Sequence, residues 1–565
     1  MKVLFTALHF ANYRLFEPVI CELAERGHDV VLAADEAETF GGHALVERLV
    51  ALYPRVTYGD IPSAADQPWM PFAQKVRWAL DYVRFCAPRY ADVPKLRLRN
   101  VERAPRIVRW LMKAIGPAAV ARVLKWLERT MPRSASMRAW IESLAPDAVI
   151  LTSLTFSRSS AVEQLKAARG LGIPTAAAIM SWDHLSSKAL LHIAPDRTFV
   201  WNEVQKREAT GMHGLPPESI VVTGAQCYDR WFDRRPSRTR DGFCADMGLD
   251  PSRPFVLYVC SAMSPVPTPV EPQFVKEWVT ALRASADPML RDVGVLVRPH
   301  PERVKEWADV SFDGVEDVVV RGGTPIDATS KADYFDALIF SHAVVGLCTS
   351  AFLEAAIAGR PVLTLLLPAY RMHQDGMAHF RYLLDVEGGL LHAAPEMSAH
   401  LRDLSNVLAR GAEREERNVR FLTAFVRPNG VETPATPAFV SAIEQLARLP
   451  RNVDPRFAHA TATQRVVGQI AAATRAGVGQ WLMMDAIDVA RARSEEQNDQ
   501  RKQAILERRS LYYETKARTR QEHVRAREHD QRSKEWAKWR RGLSARKQIA
   551  RIKGGLKQLV GSGQQ

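Results

Sequence analysis

A chain of 565 residues, 47% of them hydrophobic, has material for two or three domains with substantial cores and is no small stapled scaffold. Its six cysteines (Cys21, Cys86, Cys227, Cys244, Cys260 and Cys348) form no C-x-x-C pair and no zinc-spaced cluster, so reduced thiols, a cytoplasmic setting and no structural zinc are expected. The net charge of +14 is concentrated: residues 71–138 and 491–565 each carry about +12, which leaves the rest near −10.

In chain order, MKVLFTALHFANYRLFEP has the look of a signal peptide, but His9, Asn12 and Arg14 break its apolar run and no small-residue cleavage site follows. It reads as a first buried strand. A helix follows with Phe16, Val19, Ile20 and Leu23 at helical spacing, then Gly27 as a stop, then strand DVVLAAD. The stretch from about Trp69 to Ser143 is helical by pattern and rich in Arg, Lys and aromatics, an insertion before the next strand, APDAVILTS. Helix and strand then alternate through IPTAAAIMSWDH, RTFVWN and SIVVTG. After a charged, Pro-rich connection from Arg230 to Pro254, a second series runs PFVLYVCSAMSP, VGVLVRPHPE, EDVVVRG, AVVGLCTS and RPVLTLLLP.

Apolar strands alternating with helices predict parallel sheets covered on both faces. The expected architecture is therefore α/β: two tandem doubly wound, Rossmann-like domains with a helical, basic C-terminal extension. The domains are placed at 1–229, with the insertion at about 69–143, at 230–450, and at 451–565 for the extension. No window reaches the roughly 18 uncharged apolar residues that a spanning helix needs, so membrane contact is expected to be peripheral.

Ligands of such sheets sit beyond the carboxyl ends of the strands, so the residues there are the candidates. In VGLCTSAFLEAAIAGRPVLTLL, a turn through Thr349 and Ser350 opens a helix and offers hydroxyls and free backbone amides to a phosphate. Glu354 lies one turn on, where a carboxylate accepts hydrogen bonds from ribose hydroxyls. Strand VGVLV runs into Arg298-Pro299-His300-Pro301, a cationic corner held by two prolines. Ser261 ends another strand among small residues, and Gln374 and Asp375 follow RPVLTLLLP. In the first series, MSWDHLSSK carries Asp183, His184 and Lys188 after an apolar strand, and Asp or His there suits a general base.

The R-P-H-P corner, TSAFLEAAIAGRPVLTL and the following Q-D-G segment resemble the nucleotide-binding half of the GT-B glycosyltransferase superfamily, in particular bacterial surface-polysaccharide enzymes such as capsule Kdo transferases and CDP-glycerol glycerophosphotransferases. The resemblance implies a fold of GT-B type over roughly residues 1–449, with the donor bound by Ser261, Arg298, His300, Thr349, Ser350, Glu354, Gln374 and Asp375. It carries the ribose contact onto Glu354, and VVTGAQCYDRWFD resembles the segment that crosses between the domains. LHFANYRLF lacks the glycine-rich run of lipid-sugar transferases of this fold, so His9, Asn12 and Lys188 are the acceptor-side candidates.

The expected activity is transfer of a sugar or polyol phosphate from a nucleotide-activated donor to a surface glycan or glycolipid. Asp183 and His184 are the expected catalytic residues, with no metal and no cofactor besides the donor. The alternatives are a nucleotide-sugar 2-epimerase of the same fold and a nucleic-acid-binding protein acting through the basic tail. No recognised nucleic-acid motif accompanies the tail's charge, so nucleic acid is the weaker partner. The expected location is cytoplasmic, peripheral on the inner face of the plasma membrane. The expected anionic-membrane contacts are segments 69–138 and 491–565, through Trp69, Phe72, Trp78, Tyr82 and Phe85 and through an amphipathic helix carrying Ile549, Ile552, Leu556 and Leu559.

Overall fold

The computed structural model describes residues 1–36, 41–63, 67–91, 93–263, 270–323, 325, 328–410, 416–486 and 488, with isolated positions between 534 and 551. The amphipathic helix expected around Ile549 to Leu559 lies outside the described residues. By packing, the chain separates into a body, Met1–Ala486, and a C-terminal segment, Ile487–Gln565.

The body holds two parallel sheets. The first contains β1 (Lys2–Ala7), β2 (Asp29–Ala34), β3 (Val56–Asp60), β4 (Ala148–Leu151), β5 (Thr175–Ala178), β6 (Arg197–Val200) and β7 (Ile220–Val222), in the order β3-β2-β1-β4-β5-β6-β7. The second contains β8 (Phe255–Val259), β9 (Gly294–Arg298), β10 (Val318–Val320), β11 (Ala343–Gly346), β12 (Val362–Leu365) and β13 (His392–Ala394), in the order β10-β9-β8-β11-β12-β13. Both are doubly wound, and the order reverses between β1 and β4 and between β8 and β11. This is the two-domain Rossmann-like architecture of GT-B type. The central strands are buried along their length because helices cover both faces, which is why their sequences are unbroken apolar runs. The edge strands β3 and β13 were not legible: β3 has one buried residue and β13 spans three, so neither shows an apolar run.

The insertion forms helices Met70–Phe85, Pro94–Val101, Arg106–Ile115, Pro117–Thr130 and Ala135–Leu144. Its own core corrects the expected membrane aromatics. Trp69 is buried in this core, Phe85 is buried in the cluster that holds Trp182 and Trp201, and Phe72 and Tyr82 pack partly buried against the insertion's helices, so these rings contribute to packing within the body. A buried ion cluster ties the insertion to the first sheet's helix Ala161–Gly170: Arg77 Nη2 and Lys166 Nζ reach Glu128 Oε1 at 3.0 and 2.9 Å, and Arg77 also pairs with Glu163. The sequence shows only another basic residue at position 77, whereas the fold spends its charge internally.

The boundary expected at 450 lies elsewhere. Helix Thr436–Ala447 returns to the first domain, where Phe439 packs on Phe16 and Phe199 with ring centroids 5.9 and 5.2 Å apart. The outward crossing near Asp229 and the return near Ala435 are joined by one carboxylate. Asp229 Oδ1 accepts from Arg427 Nη2 at 2.8 Å and from the Ala435 amide at 3.0 Å, while Oδ2 accepts from the Thr436 amide and hydroxyl at 2.7 and 2.6 Å. Gly224 lies against this crossing: its φ is +87°, and a Cβ there would sit 2.6 Å from that of Ala435. Residues 451–486, expected in the extension, instead belong to the body. Phe457 joins the first domain's core, helix Ala462–Ala473 packs on Met70–Phe85 and Pro117–Thr130, and helix Gly477–Met483 packs on Arg106–Ile115. Among the described residues no helix is long and apolar enough to cross a membrane.

Candidate functional site

Where the second sheet's strand order reverses, the ends of β8, β9 and β11 open a crevice. A pocket of about 190 Å³ there is lined by Arg298, His300, Tyr334, Thr349, Ser350 and Glu354, together with Val259 and Cys260 at the end of β8. Five of the eight donor-side residues read from the sequence thus meet at one site.

Arg298 ends β9 and is only 6% exposed. Its Nη1 donates to Asp333 Oδ2 at 2.8 Å, Asp333 accepts in turn from Arg238 Nη2 at 2.6 Å, and the guanidinium carbon lies 5.3 Å from the Tyr334 ring centre. Asp333 and Tyr334 hold the group in one orientation. A guanidinium carries five N–H donors, so the fork retains capacity for an anionic oxygen. Gly322, at φ +141°, makes room for it, since a Cβ there would meet Arg298 Nε at 2.9 Å. His300 Nδ1 accepts from the Glu302 amide at 3.2 Å, which puts the ring proton on Nε2. Burial pushes its pKa down, so at neutral pH it is a neutral donor and the corner's positive charge belongs to Arg298.

Ser350 precedes helix Ala351–Ile357 and is exposed, and its hydroxyl makes no capping bond. Thr349 Oγ1 accepts from the Ala351 amide at 3.3 Å. This helix spans only two turns, so what the turn can offer an anion comes from its hydroxyls and Arg298 more than from a long helix dipole. Glu354 Oε2 accepts from the Tyr334 hydroxyl at 2.5 Å. Burial pushes the Glu354 carboxyl up to about 7, and the Tyr334 bond offsets part of that rise.

Three donor-side candidates lie outside this pocket. Ser261 is buried: its amide donates to Glu271 Oε2 at 2.7 Å and its Oγ accepts from the Cys348 amide at 3.0 Å, so it ties the end of β8 to the end of β11. Gln374 is fully buried, with Nε2 donating to the carbonyls of Leu347 and Leu365 at 3.0 and 2.7 Å. Both are corrected from ligand contacts to strand-end clips, because buried backbone carbonyls and amides need partners. Asp375 is partly buried, and its carbonyl accepts from Arg381 Nε at 2.6 Å.

Across the interdomain seam stands the loop after β5. Asp183 Oδ1 accepts from Ser181 Oγ at 2.7 Å and Oδ2 from Ser187 Oγ at 2.9 Å. Burial disfavours its charge, but the positive potential of His184, His379 and Lys188 and the Ser181 bond outweigh that and hold the carboxyl well below the usual range. His184 is buried with its ring edge-on to Phe156, centroids 5.1 Å apart. Burial and Lys188 push His184 down to about 4 against the opposing pull of Asp183, so it is neutral at pH 7. Lys188 is partly buried beside this pair. His9 and Asn12 stand at the end of β1, where Asn12 Oδ1 accepts from the His9 amide at 3.2 Å and caps the short helix Phe10–Leu15.

Sequence reading missed Tyr334 and Asp333, which come from helix Ala328–Phe340 and not from a strand end. It also missed the residues that close the seam. Lys95, on insertion helix Pro94–Val101, reaches His373 Nδ1 of the second domain at 2.7 Å, and Arg99 of the same helix bonds the Ser187 carbonyl. The Trp182 and His379 rings meet edge-on at 5.0 Å. No local pattern marks a lysine as spanning two domains.

No protein-family model matches the chain, and no curated protein matches it. Among solved structures it is similar to a UDP-N-acetylglucosamine 2-epimerase from Listeria monocytogenes (14% identity, 80% of this chain and 98% of that one, TM-score 0.47). It is likewise similar to UDP-GlcNAc 2-epimerase from Neisseria meningitidis, in a structure bound to UDP-GlcNAc (13%, 79% and 100%, TM-score 0.46), and to a glycosyltransferase from Rickettsia africae (11%, 79% and 98%, TM-score 0.46).

Proposed function

We propose that the protein is a glycosyltransferase that moves a sugar or polyol phosphate from a nucleotide-activated donor to a lipid-linked or surface glycan acceptor. The observation that carries the reading is the pocket at the switch point of the second sheet. Arg298, held by Asp333, and Glu354, bonded to Tyr334, line it together; in this reading the Arg298 fork takes the diphosphate and the Glu354 carboxyl the ribose hydroxyls. Such groups, fixed before the ligand arrives, stabilise the departing nucleotide's charge without reorganisation.

In this reading Asp183 accepts the proton or the hydrogen bond of the acceptor hydroxyl. It is ionised throughout the neutral range and lies on the seam opposite the pocket. His184, buried and neutral, packs the loop that presents it. A general base works best with a pKa near the working pH, so a low-pKa Asp183 acts chiefly by orienting the acceptor oxygen.

An epimerase of the same fold uses one substrate, and its reading rests on the same pocket. Transfer is favoured because the insertion, whose helix Pro94–Val101 bonds the second domain through Lys95 to His373 and the Asp183 loop through Arg99 to the Ser187 carbonyl, is an addition that a one-substrate reaction does not require. The test is a melting-temperature screen against UDP, CMP, CDP, GDP and dTDP, followed by product analysis with the sugar conjugate of the nucleotide that binds. A nucleotide at 100 times its Kd stabilises the folded state by about 2.7 kcal/mol. Acceptor-dependent release of free nucleotide supports transfer, and interconversion of the donor without acceptor supports epimerisation. No stabilisation by any of the five overturns both.

A further inference from the structure

Eight of the fifteen exposed large apolar residues among those described lie on four helices: Trp110 and Ile115 on Arg106–Ile115, Val123 and Trp126 on Pro117–Thr130, Val466 and Ile470 on Ala462–Ala473, and Val478 and Trp481 on Gly477–Met483. These include every exposed tryptophan among the described residues; Trp110 is 63% exposed. The four helices form one packed group, since Arg106–Ile115 contacts both Pro117–Thr130 and Gly477–Met483, and Pro117–Thr130 also contacts Ala462–Ala473. Arg106 lies over the Trp481 ring at 5.4 Å and joins two of them directly.

A soluble surface rarely carries so many exposed apolar side chains on one packed group of helices, so this group marks a contact face. Its charge identifies the occupant. Lys113, Arg122, Lys125, Arg129, Arg465 and Arg475 are exposed on or beside these helices, and the one acid on them, Glu128, is buried in the Arg77–Lys166 ion cluster. The chain's own segment 491–565 carries 21 Lys and Arg against 9 Asp and Glu, and a second copy meeting this face through the same helices would present the same cations, so charge complementarity favours an anionic surface over either. Tryptophans beside lysines and arginines suit the headgroup level of an anionic bilayer.

We infer that the helix pairs Arg106–Thr130 and Ala462–Met483 form a docking face for an anionic lipid bilayer. The face is built on the same insertion whose helix Pro94–Val101 reaches the second domain through Lys95, so docking would hold the protein at the surface that carries a lipid-linked acceptor. The inference deepens the acceptor reading above and rests on it for its purpose, but binding to vesicles is measured apart from nucleotide binding, so either can fail alone.

The test is co-sedimentation of the full chain with vesicles of phosphatidylcholine alone or mixed with phosphatidylglycerol, comparing wild type with Trp110→Ala/Trp126→Ala/Trp481→Ala and with Lys113→Glu/Arg122→Glu/Lys125→Glu. Every substituted side chain is exposed and only Trp481 gives up a ring contact, that with Arg106, so both variants should melt close to wild type, and the nucleotide-induced melting shift should be unchanged. Wild type should pellet with the anionic vesicles only and be released by salt. Reversing three cations should weaken binding by a factor of about 100 or more, as the loss of three surface attractions requires. Wild-type binding to neutral vesicles alone, or binding of both variants at the wild-type level, overturns the assignment. So does a wild-type oligomer that the variants dissolve while vesicles go unbound.

Discussion

A carboxyl at Glu354 that titrates near neutrality connects stability to ligand binding at a single residue. Because burial raises its folded-state pKa to about 7, above the unfolded carboxylate value, the folded state loses stability as the pH climbs from about 4.5 to about 7. Glu354→Gln keeps an acceptor for Tyr334 and removes the buried charge. The variant should therefore be more stable than wild type by about 1–3 kcal/mol at pH 8 and about equal to it at pH 4.5, as read by denaturant titration at the two values. The same substitution should weaken nucleotide binding about tenfold at pH 8, since a charged acceptor becomes neutral. Wild-type affinity should rise between pH 6 and 8, and that rise should vanish in the variant. Asp183→Asn makes a separate prediction. Turnover should fall about 100-fold with nucleotide affinity unchanged, because the residue stands in the facing domain and is assigned to the acceptor. Arg298, His300, Thr349, Ser350 and Glu354 were legible because strand-end turns with Pro, Ser and Thr are local patterns. Tyr334 and Asp333 were not, since which residue of a helix overhangs a pocket depends on packing.

Between elements, polar side chains that looked like ligand contacts hold strand ends together. Gln374 clips the ends of β11 and β12 through two carbonyls. Gln374→Ala removes the side-chain donor to the Leu365 carbonyl and leaves the Leu347 carbonyl only the long Thr364 hydroxyl contact at 3.5 Å, and should lower stability by about 2–3 kcal/mol. Per-molecule nucleotide affinity should survive, which calorimetry on the folded fraction checks. A specific loss of affinity at unchanged stability would return Gln374 to the ligand. From sequence, a polar residue that clips and one that binds ligand look alike: both follow an apolar strand, and only burial separates them. The insertion shows the same ambiguity among aromatics. Trp69 and Trp110 both sit among cations in the sequence, yet the first is 5% and the second 63% exposed. Helical periodicity around Val76, Leu80 and Val83 assigns an inner face. It does not reveal that helix Ala462–Ala473 covers that face, nor that helix Arg106–Ile115, packed on Pro117–Thr130 and Gly477–Met483, keeps Trp110 exposed.

On the scale of the whole molecule, alternating strands and helices made both doubly wound domains legible, but the return of the chain to the first domain was not. Asp229 and Arg427 form that crossing, a buried pair 198 positions apart, with both side chains under a tenth exposed. Asp229→Ala would strand the Arg427 guanidinium and free the Ala435 and Thr436 amides, and should cost about 3–5 kcal/mol. The second-domain pocket, the Asp183 loop beside His379 and the Lys95–His373 contact are the parts that the proposed reaction requires to act together. The most direct test of the central claim, that the second-domain pocket binds the nucleotide of an activated donor, is calorimetric titration of UDP, CMP, CDP, GDP and dTDP into wild type and into Arg298→Ala at pH 8. The account predicts one-to-one binding of at least one nucleotide to wild type, weakened about 10- to 100-fold in a folded Arg298→Ala protein, as loss of a charge-assisted bond to a phosphate requires. Binding of equal strength to both proteins, or to neither, would contradict it.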